Sequence, residues 1–377
     1  MPSTEYRVPS AETESRCTPD TVFPDRELAR LHERAYLSER VVSLRRVMER
    51  RSRKQVPAAA PDGTAGAGTG GRSVPRRTQA EQRESRVTAG LSELERWLAD
   101  QIGQGIAQAR QTGPSDWDDL ARRLVDAQAP GVAGTVTRLP RVLGAEDWPG
   151  LLLGEYALLH LLAVAHRRAA ALPEPLRQTV RARVGFPVTR ESVLATPAVR
   201  DHWDVVGRRD EEQDRLLARR VWLAGRTTGR LAMVLSFSPA GQPLESFPPP
   251  GASIDADVVF YPGAAPLRAL VAERRGLVEA GPPPGTKVSQ VPALIAEVLA
   301  ADPWTDSWPL VLDGVVPCPD ALADDEGNAL PLHPSAGVPW RLLAVSGGRP
   351  VTVAAEWTPR GLLPLTAWNE DGGVVRL

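Results

Sequence analysis

The hydrophobic period of this chain changes near residue 200, and that switch limits what it can fold into. Upstream, Val87, Leu91, Leu94, Leu98 and Ile102 recur at spacings of four, three, four and four. That is the apolar stripe of an amphipathic helix. Thr78 followed by Glu81 reads as a capping box that starts this helix sharply. Ser115 caps a second helix over 116–128, which ends before Pro130 and Gly131. A third is predicted from Trp148 to Ala171, and a shorter fourth over "PEPLRQTVRARVG". Residues 78–200 are therefore expected to be mostly helical.

Beyond residue 200 the apolar residues alternate. "RVWLAG" and "RLAMVLSF", split by "RTTG", read as a β-hairpin, and "SIDADVVFY" (253–261) continues the sheet. "WRLLAV", "VTVAAEW" and "LLPLTAW", split by "SGGR" and "TPRG", read as an antiparallel meander. One helix, 288–302, interrupts the strands. Helices first and sheet second predict an α+β fold: an N-terminal mostly helical region, then an antiparallel β-rich region with a C-terminal meander. The expected domains are 78–200 and 201–377, behind a basic arm (1–55) and a disordered Pro/Gly/Ala linker (56–77).

Charge is unevenly spread along the chain. The formal net charge is −1, yet residues 1–90 carry 17 Lys+Arg against 12 Asp+Glu, a net of +5. Residues 1–23 read as disordered and 24–55 as a helix, with Pro24 at its start and Leu37, Val41, Leu44 and Met48 on one face. Its other face is rich in arginine, and Arg45, Arg46, Arg50, Arg51 and Arg53 are either solvated or available to an anionic partner such as nucleic acid. Gly66, Gly68 and Gly71 match G-x-G-x-x-G, but no strand feeds the motif and no helix leaves it, which excludes a dinucleotide-binding turn. The two cysteines, Cys17 and Cys318, form no disulfide framework and suit a reducing cytosol. "MPSTEYRVPSAETES" lacks the apolar core of a signal peptide, and "LLLGEYALLHLLAVA" (151–165) reads as a buried helix rather than a span. A cytoplasmic protein that does not engage membrane is expected.

Few residues look like chemistry. "DHWDVVGRRDEEQD" (201–214) places Asp201, His202 and Asp204 where they could hold a metal. On a strand, however, Asp201 faces away from His202. "HWDVVG" is expected to be a short strand ending at Gly207, followed by acids paired with Arg215, Arg219 and Arg220 in a helical turn or charged bend. Ser346 in "AVSGG" lacks the flanking glycines of a nucleophile elbow. His160 and His166 stand six apart rather than the four of a helical metal pair. Tyr261 in "YPG" reads as a packing residue beside a turn. Trp304 and Trp308, four apart, form an aromatic recognition ledge or bury in the core. No catalytic, cofactor-binding or metal residue is assigned from these patterns.

Four stretches together, "RLVDAQAPGVA" (123–133), "VWLAGRTTGRLAMVLSF" (221–237), "VVFYPGAAPLRALV" (258–271) and "DPWTDSWPLVLDGV" (302–315), resemble the body of bacterial SWIM zinc-finger family proteins. The likeness runs from about 78 to 315. Family members carry, before this body, a finger of pattern C-x-C…C-x-H proposed to bind DNA or protein, and their genes lie near those of MoxR-type AAA+ ATPases and von Willebrand A-type proteins. Here only Cys17 and His32 precede the body, so zinc's four ligands are not available upstream of it and no cofactor is expected. The resemblance implies a non-catalytic adaptor or regulatory protein with such partners. The alternatives are a nucleic-acid binder using residues 24–55, or an enzyme of unrecognised class.

If the linker ends where the capping box begins, removing residues 1–77 should leave a cooperatively folded protein. Thermal unfolding of the 78–377 fragment checks this: one sharp transition close to that of the full chain is expected. A broad, early transition would show that the arm docks into the core.

Overall fold

The computed structural model describes residues 78–377 apart from 112, 214, 215, 240 and 241. The basic arm with its arginines, the linker and its glycine motif, Cys17 and His32 lie outside the described residues. The described chain is α+β, with helices over its first third and strands after them.

The helical region opens at α1 (Gln79–Gln104), where the expected capping box is present. The Glu81 N–H donates to Thr78 Oγ1 at 3.3 Å, and the Thr78 N–H donates to Glu81 Oε2 at 2.8 Å. α2 (Pro114–Asp126), α3 (Pro130–Arg138), α4 (Trp148–Arg167) and α5 (Glu174–Val184) follow. Two details differ from the sequence reading. α2 begins at Pro114 with Gly113 rather than Ser115 at its cap. Pro130 does not merely end a helix but starts α3, because its ring pre-sets the backbone of a first helical turn. α1 buries Val87, Leu91, Leu94 and Leu98, the predicted stripe, against Trp117, Leu120 and Tyr156, while Ile102 is exposed. The start of α3 passes the end of α5 where only glycine fits: a Cβ on Gly131 would lie 2.2 Å from the Arg183 carbonyl oxygen. α4 spans 20 residues and is long and apolar enough to cross a membrane by composition, and half of its most apolar stretch is buried in the bundle. A short helix, α6 (Arg190–Leu194), leads to the strands.

Five strands then close on themselves: β1 (Val199–Gln213), β2 (Leu216–Gly225), β3 (Leu231–Pro239), β4 (Ser253–Phe260) and β5 (Arg268–Val278), in the order β1-β2-β3-β5-β4. Val199 to Asp204 of β1 pair with β4 and Trp203 to Gln213 pair with β2, with a bulge between Val205 and Gly207 in the β2 pairing. The seam between β3 and β5 is parallel and only two residue pairs long. A long bent first strand, with parallel β3 and β5, is the topology of OB-type Greek-key barrels. Alternation sorts the side chains. Trp203, Val205, Val221, Leu223, Ala232 and Ile254 fill the barrel, whereas Val206, Trp222 and Ala224 point outward from β1 and β2.

That outward face is covered. After α7 (Val291–Ala301) come β6 (Trp308–Pro317), β7 (Ala321–Ala323), β8 (Ala329–Pro331), α8 (Trp340–Ser346), β9 (Val351–Thr358), β10 (Gly361–Trp368) and β11 (Val374–Arg376). The strands form one antiparallel sheet, β11-β10-β9-β6-β7-β8. One face of it, through Val311, Ala354, Leu365 and Trp368, packs on Val206, Trp222 and Ala224 of the barrel. The other buries Leu312, Val353 and Ala355 with Val291, Ile295 and Leu299 of α7 and Leu342 of α8. At the contact, a Cβ on Gly207 would meet the Leu365 side chain at 2.6 Å, so glycine lets β1 and β10 approach.

Three expectations are corrected here. "WRLLAV" is helix α8, not a strand: Gly347, left-handed at φ 54°, caps its end, and Leu342 and Ser346, one turn apart, are its buried residues. The β-rich region therefore carries two helices of its own rather than one. "HWDVVG" does not end at Gly207; β1 runs on to Gln213, and its acids pair across the hairpin rather than along a helix. Arg219 donates two hydrogen bonds to Asp210, Nε and Nη2 each at 2.8 Å, in a directly opposed cross-strand pair.

Trp222 is 1% exposed at the barrel–sheet contact. Trp222→Ala should cost about 3–5 kcal/mol in urea unfolding, through lost burial and the cavity left behind. A loss below about 1 kcal/mol, typical of a surface position, would show that this face is not packed.

Candidate functional site

"DHWD" is a structural clamp. The Asp201 carboxylate is buried under the β2–β3 turn, where it accepts from the N–H groups of Thr227 at 3.1 Å and Thr228 at 2.8 Å, and from Thr228 Oγ1 at 2.7 Å. Burial alone would raise the Asp201 pKa, but these bonds and one from the His202 N–H outweigh it and hold the carboxyl below its ordinary value. Asp204, also buried, accepts from Arg226 Nε at 3.0 Å and from the Ser253 hydroxyl. His202, between them, is exposed and faces the other way.

The other sequence candidates lie apart from one another in structural contacts. His166 is buried in the bundle, 3.3 Å from the Thr88 hydroxyl and 3.5 Å from Glu84, and burial lowers its pKa so that the neutral ring is favoured. His160 lies 3.6 Å from Glu95. Ser346 donates its hydroxyl to the Arg349 carbonyl. Tyr261 carries the Arg268 guanidinium 4.3 Å above its ring. Trp304 is 8% exposed and donates its indole N–H to the Leu158 carbonyl at 3.0 Å, pinning the strand region to α4. Trp308 stands opposite Trp357 in the β6–β9 pair and packs against the core beneath α7. Arg45, Arg46, Arg50, Arg51 and Arg53 lie outside the described residues. Among the described residues, no three His, Cys, Asp or Glu side chains gather as a metal ligand set.

Two of the concavities among the described residues bear on function, and neither was visible in the sequence. One is a cleft of about 450 Å³ between the bundle and the C-terminal sheet. α3 and the turn after it supply Arg138 and Arg141, the β9–β10 turn supplies Arg360, and the chain after β8 supplies His333. Its floor is apolar: Leu139, Val142, Leu151, Leu158, Leu162 and Trp304. The His333 ring is held in one tautomer. The Ser335 N–H donates to Nδ1 at 3.0 Å, which leaves the proton on Nε2. Burial, then the positive charges of Arg360 and Arg209, lower the His333 pKa, so the ring is a neutral donor.

The other concavity is an open groove of about 610 Å³ beside α8, walled by Val338, Pro339, Trp340, Leu363 and Pro364. Trp340 is 73% exposed there and Val338 42%. Arg209 reaches the groove's inner end, where it also bonds Glu356 Oε2 at 2.6 Å.

The architecture defines the class: a helical bundle joined to a barrel that is backed by a second sheet. Residues 82–184 match the model of the SWIM-associated four-helix bundle domain. The match falls on the bundle, and the resemblance to SWIM zinc-finger family proteins is supported over that stretch, in a chain with only two cysteines. No curated protein and no solved structure matches the chain.

Asp201→Asn should destabilise the protein by about 1.5–3 kcal/mol at neutral pH, the scale of hydrogen bonds to a charged group. Because its folded pKa is depressed, the stabilisation is complete above the ordinary carboxylate value of 3.8 and is lost as pH falls through the lower folded value. Urea unfolding of both proteins should therefore converge in acid. His202→Ala, in the same assay, should change stability by less than about 0.5 kcal/mol.

Proposed function

We propose that the protein is a non-catalytic adaptor or regulatory partner in a MoxR-type AAA+ ATPase and von Willebrand A-type system, working in the cytoplasm through protein–protein contacts. The observation that carries this reading is the groove at Trp340. A tryptophan 73% exposed beside Val338 and two prolines is costly to leave in water and is the residue type that dominates binding hot spots. The class of partner comes from the SWIM-family resemblance. The nucleic-acid alternative relies on the arginines of residues 24–55. In OB-type barrels the outer face of the second and third strands is the one that takes oligonucleotides. Here the protein's own sheet occupies the Trp222 side of that face, which favours the adaptor reading.

The test uses the purified MoxR-type ATPase and von Willebrand A-type protein encoded by the same genome. One of them should bind the full chain with an affinity that survives moderate salt, since screening weakens chiefly exposed charge pairs. Trp340→Ala should weaken that binding by about 30-fold or more, the effect of losing a hot-spot residue. Absence of binding to either protein, or capture that disappears on nuclease treatment, would overturn the reading.

A further inference from the structure

We propose that the cleft between the bundle and the C-terminal sheet is a binding site for a small amphiphilic anion: a phosphate or carboxylate head on an aliphatic body. It is separate from the Trp340 groove, so this inference and the adaptor reading can fail independently.

The charge pattern is the first argument. Arg183 in the cleft wall is held by Asp302, Nη2 to Oδ2 at 3.1 Å. Arg138 donates, among the described residues, only to the Thr135 hydroxyl, at 3.3 Å. Among the described residues, no carboxylate pairs with Arg138, Arg141 or Arg360, although carboxylates occupy many of the chain's other arginines. Glu155 and Asp306 also line the cleft, which leaves the wall with a surplus of positive charge. The surplus comes from both sides, with Arg138 and Arg141 on the bundle and Arg360 on the sheet.

The second argument is the His333 ring. Its Nδ1 is committed to Ser335, and its Nε2–H has no hydrogen-bond partner among the described residues. Arg360 and Arg209 help keep the ring neutral. A neutral imidazole N–H beside guanidinium groups is a donor set suited to oxyanion oxygens, and guanidinium forks match phosphate and carboxylate in geometry.

The floor decides what the rest of the ligand is. Leu139, Val142, Leu151, Leu158 and Leu162 present aliphatic carbon, and the Trp304 indole N–H is already spent on Leu158. Nothing on that floor calls for a polar ligand body. A volume of about 450 Å³ at a junction between two domains is on the scale of small-molecule sites.

The probe is octyl phosphate below its aggregation limit, titrated calorimetrically into the full chain, with inorganic phosphate and octanol titrated in parallel. One octyl phosphate per chain is expected, bound at least ten-fold more tightly than either half of the molecule, and more weakly in high salt. The double variant Arg138→Gln/Arg360→Gln should lose ten-fold or more in affinity with its unfolding temperature unchanged. Leu151→Gln should weaken octyl phosphate while leaving any inorganic phosphate binding as it was. Equal affinity for octyl phosphate and inorganic phosphate would reduce the site to a patch of solvated arginines and overturn the proposal. So would no binding of octyl phosphate, or full binding by the folded double variant.

Discussion

Glu356 sits on β9, only 2% exposed, with Arg209 of β1 at 2.6 Å and Arg220 of β2 at 3.8 Å. Burial pushes its carboxyl up, and the two guanidinium groups pull against that. Arg209 also lies over the Trp222 ring, 5.9 Å from its centre. One buried carboxylate thus ties barrel to sheet at the point where Trp222, Leu365 and Trp368 exclude water. Removing one partner of such a pair strands a charge in the interior and costs about 3–5 kcal/mol, whereas the intact pair adds less than that to stability. It links β9 of the sheet to β1 and β2 of the barrel across the packed contact.

Much of the rest depends on that placement. With the sheet fixed over β1 and β2, the β9–β10 turn and the chain after β8 are carried to the bundle, where they form one wall of the cleft. The bundle is also held by Trp304 on Leu158, by Arg183 on Asp302, and by the Ala264 N–H donating to Thr179 Oγ1 at 2.9 Å. Each of these is a hydrogen bond between segments more than eighty residues apart in sequence. The same sheet covers the barrel's outer face and leaves α8 with Trp340 on the outside, so the surfaces open to a partner are set by the same contact.

What could be read from the sequence was local. The capping box at Thr78 and Glu81 and the stripe from Val87 to Leu98 were legible because a helix's partners are three or four residues away. The β2–β3 hairpin was legible for the same reason. "WRLLAV" misled because a short apolar run has no period of its own, and the glycines that end α8 look like those of a strand turn. Barrel closure was invisible, since β3 and β5 pair over two residues after a long excursion. Alternation set Asp201 and His202 on opposite faces, but Arg226 and Ser253 as the partners of Asp204 could only come from the fold. The cleft was the least legible feature. Arg138, Arg141, His333 and Arg360 share no motif, and "TPRG" carried only a turn signal.

The central claim is that barrel and sheet form one cooperative body through the Glu356–Arg209–Trp222 contact. Native-state hydrogen exchange of the full chain, read by mass spectrometry on peptides covering β2 and β9, tests it most directly. Both strands should open with the same free energy, and Glu356→Gln should lower protection in both together. Early exchange of β9 with β2 still protected, or a Glu356→Gln effect confined to β9, would show that the sheet rests on the barrel without being coupled to it.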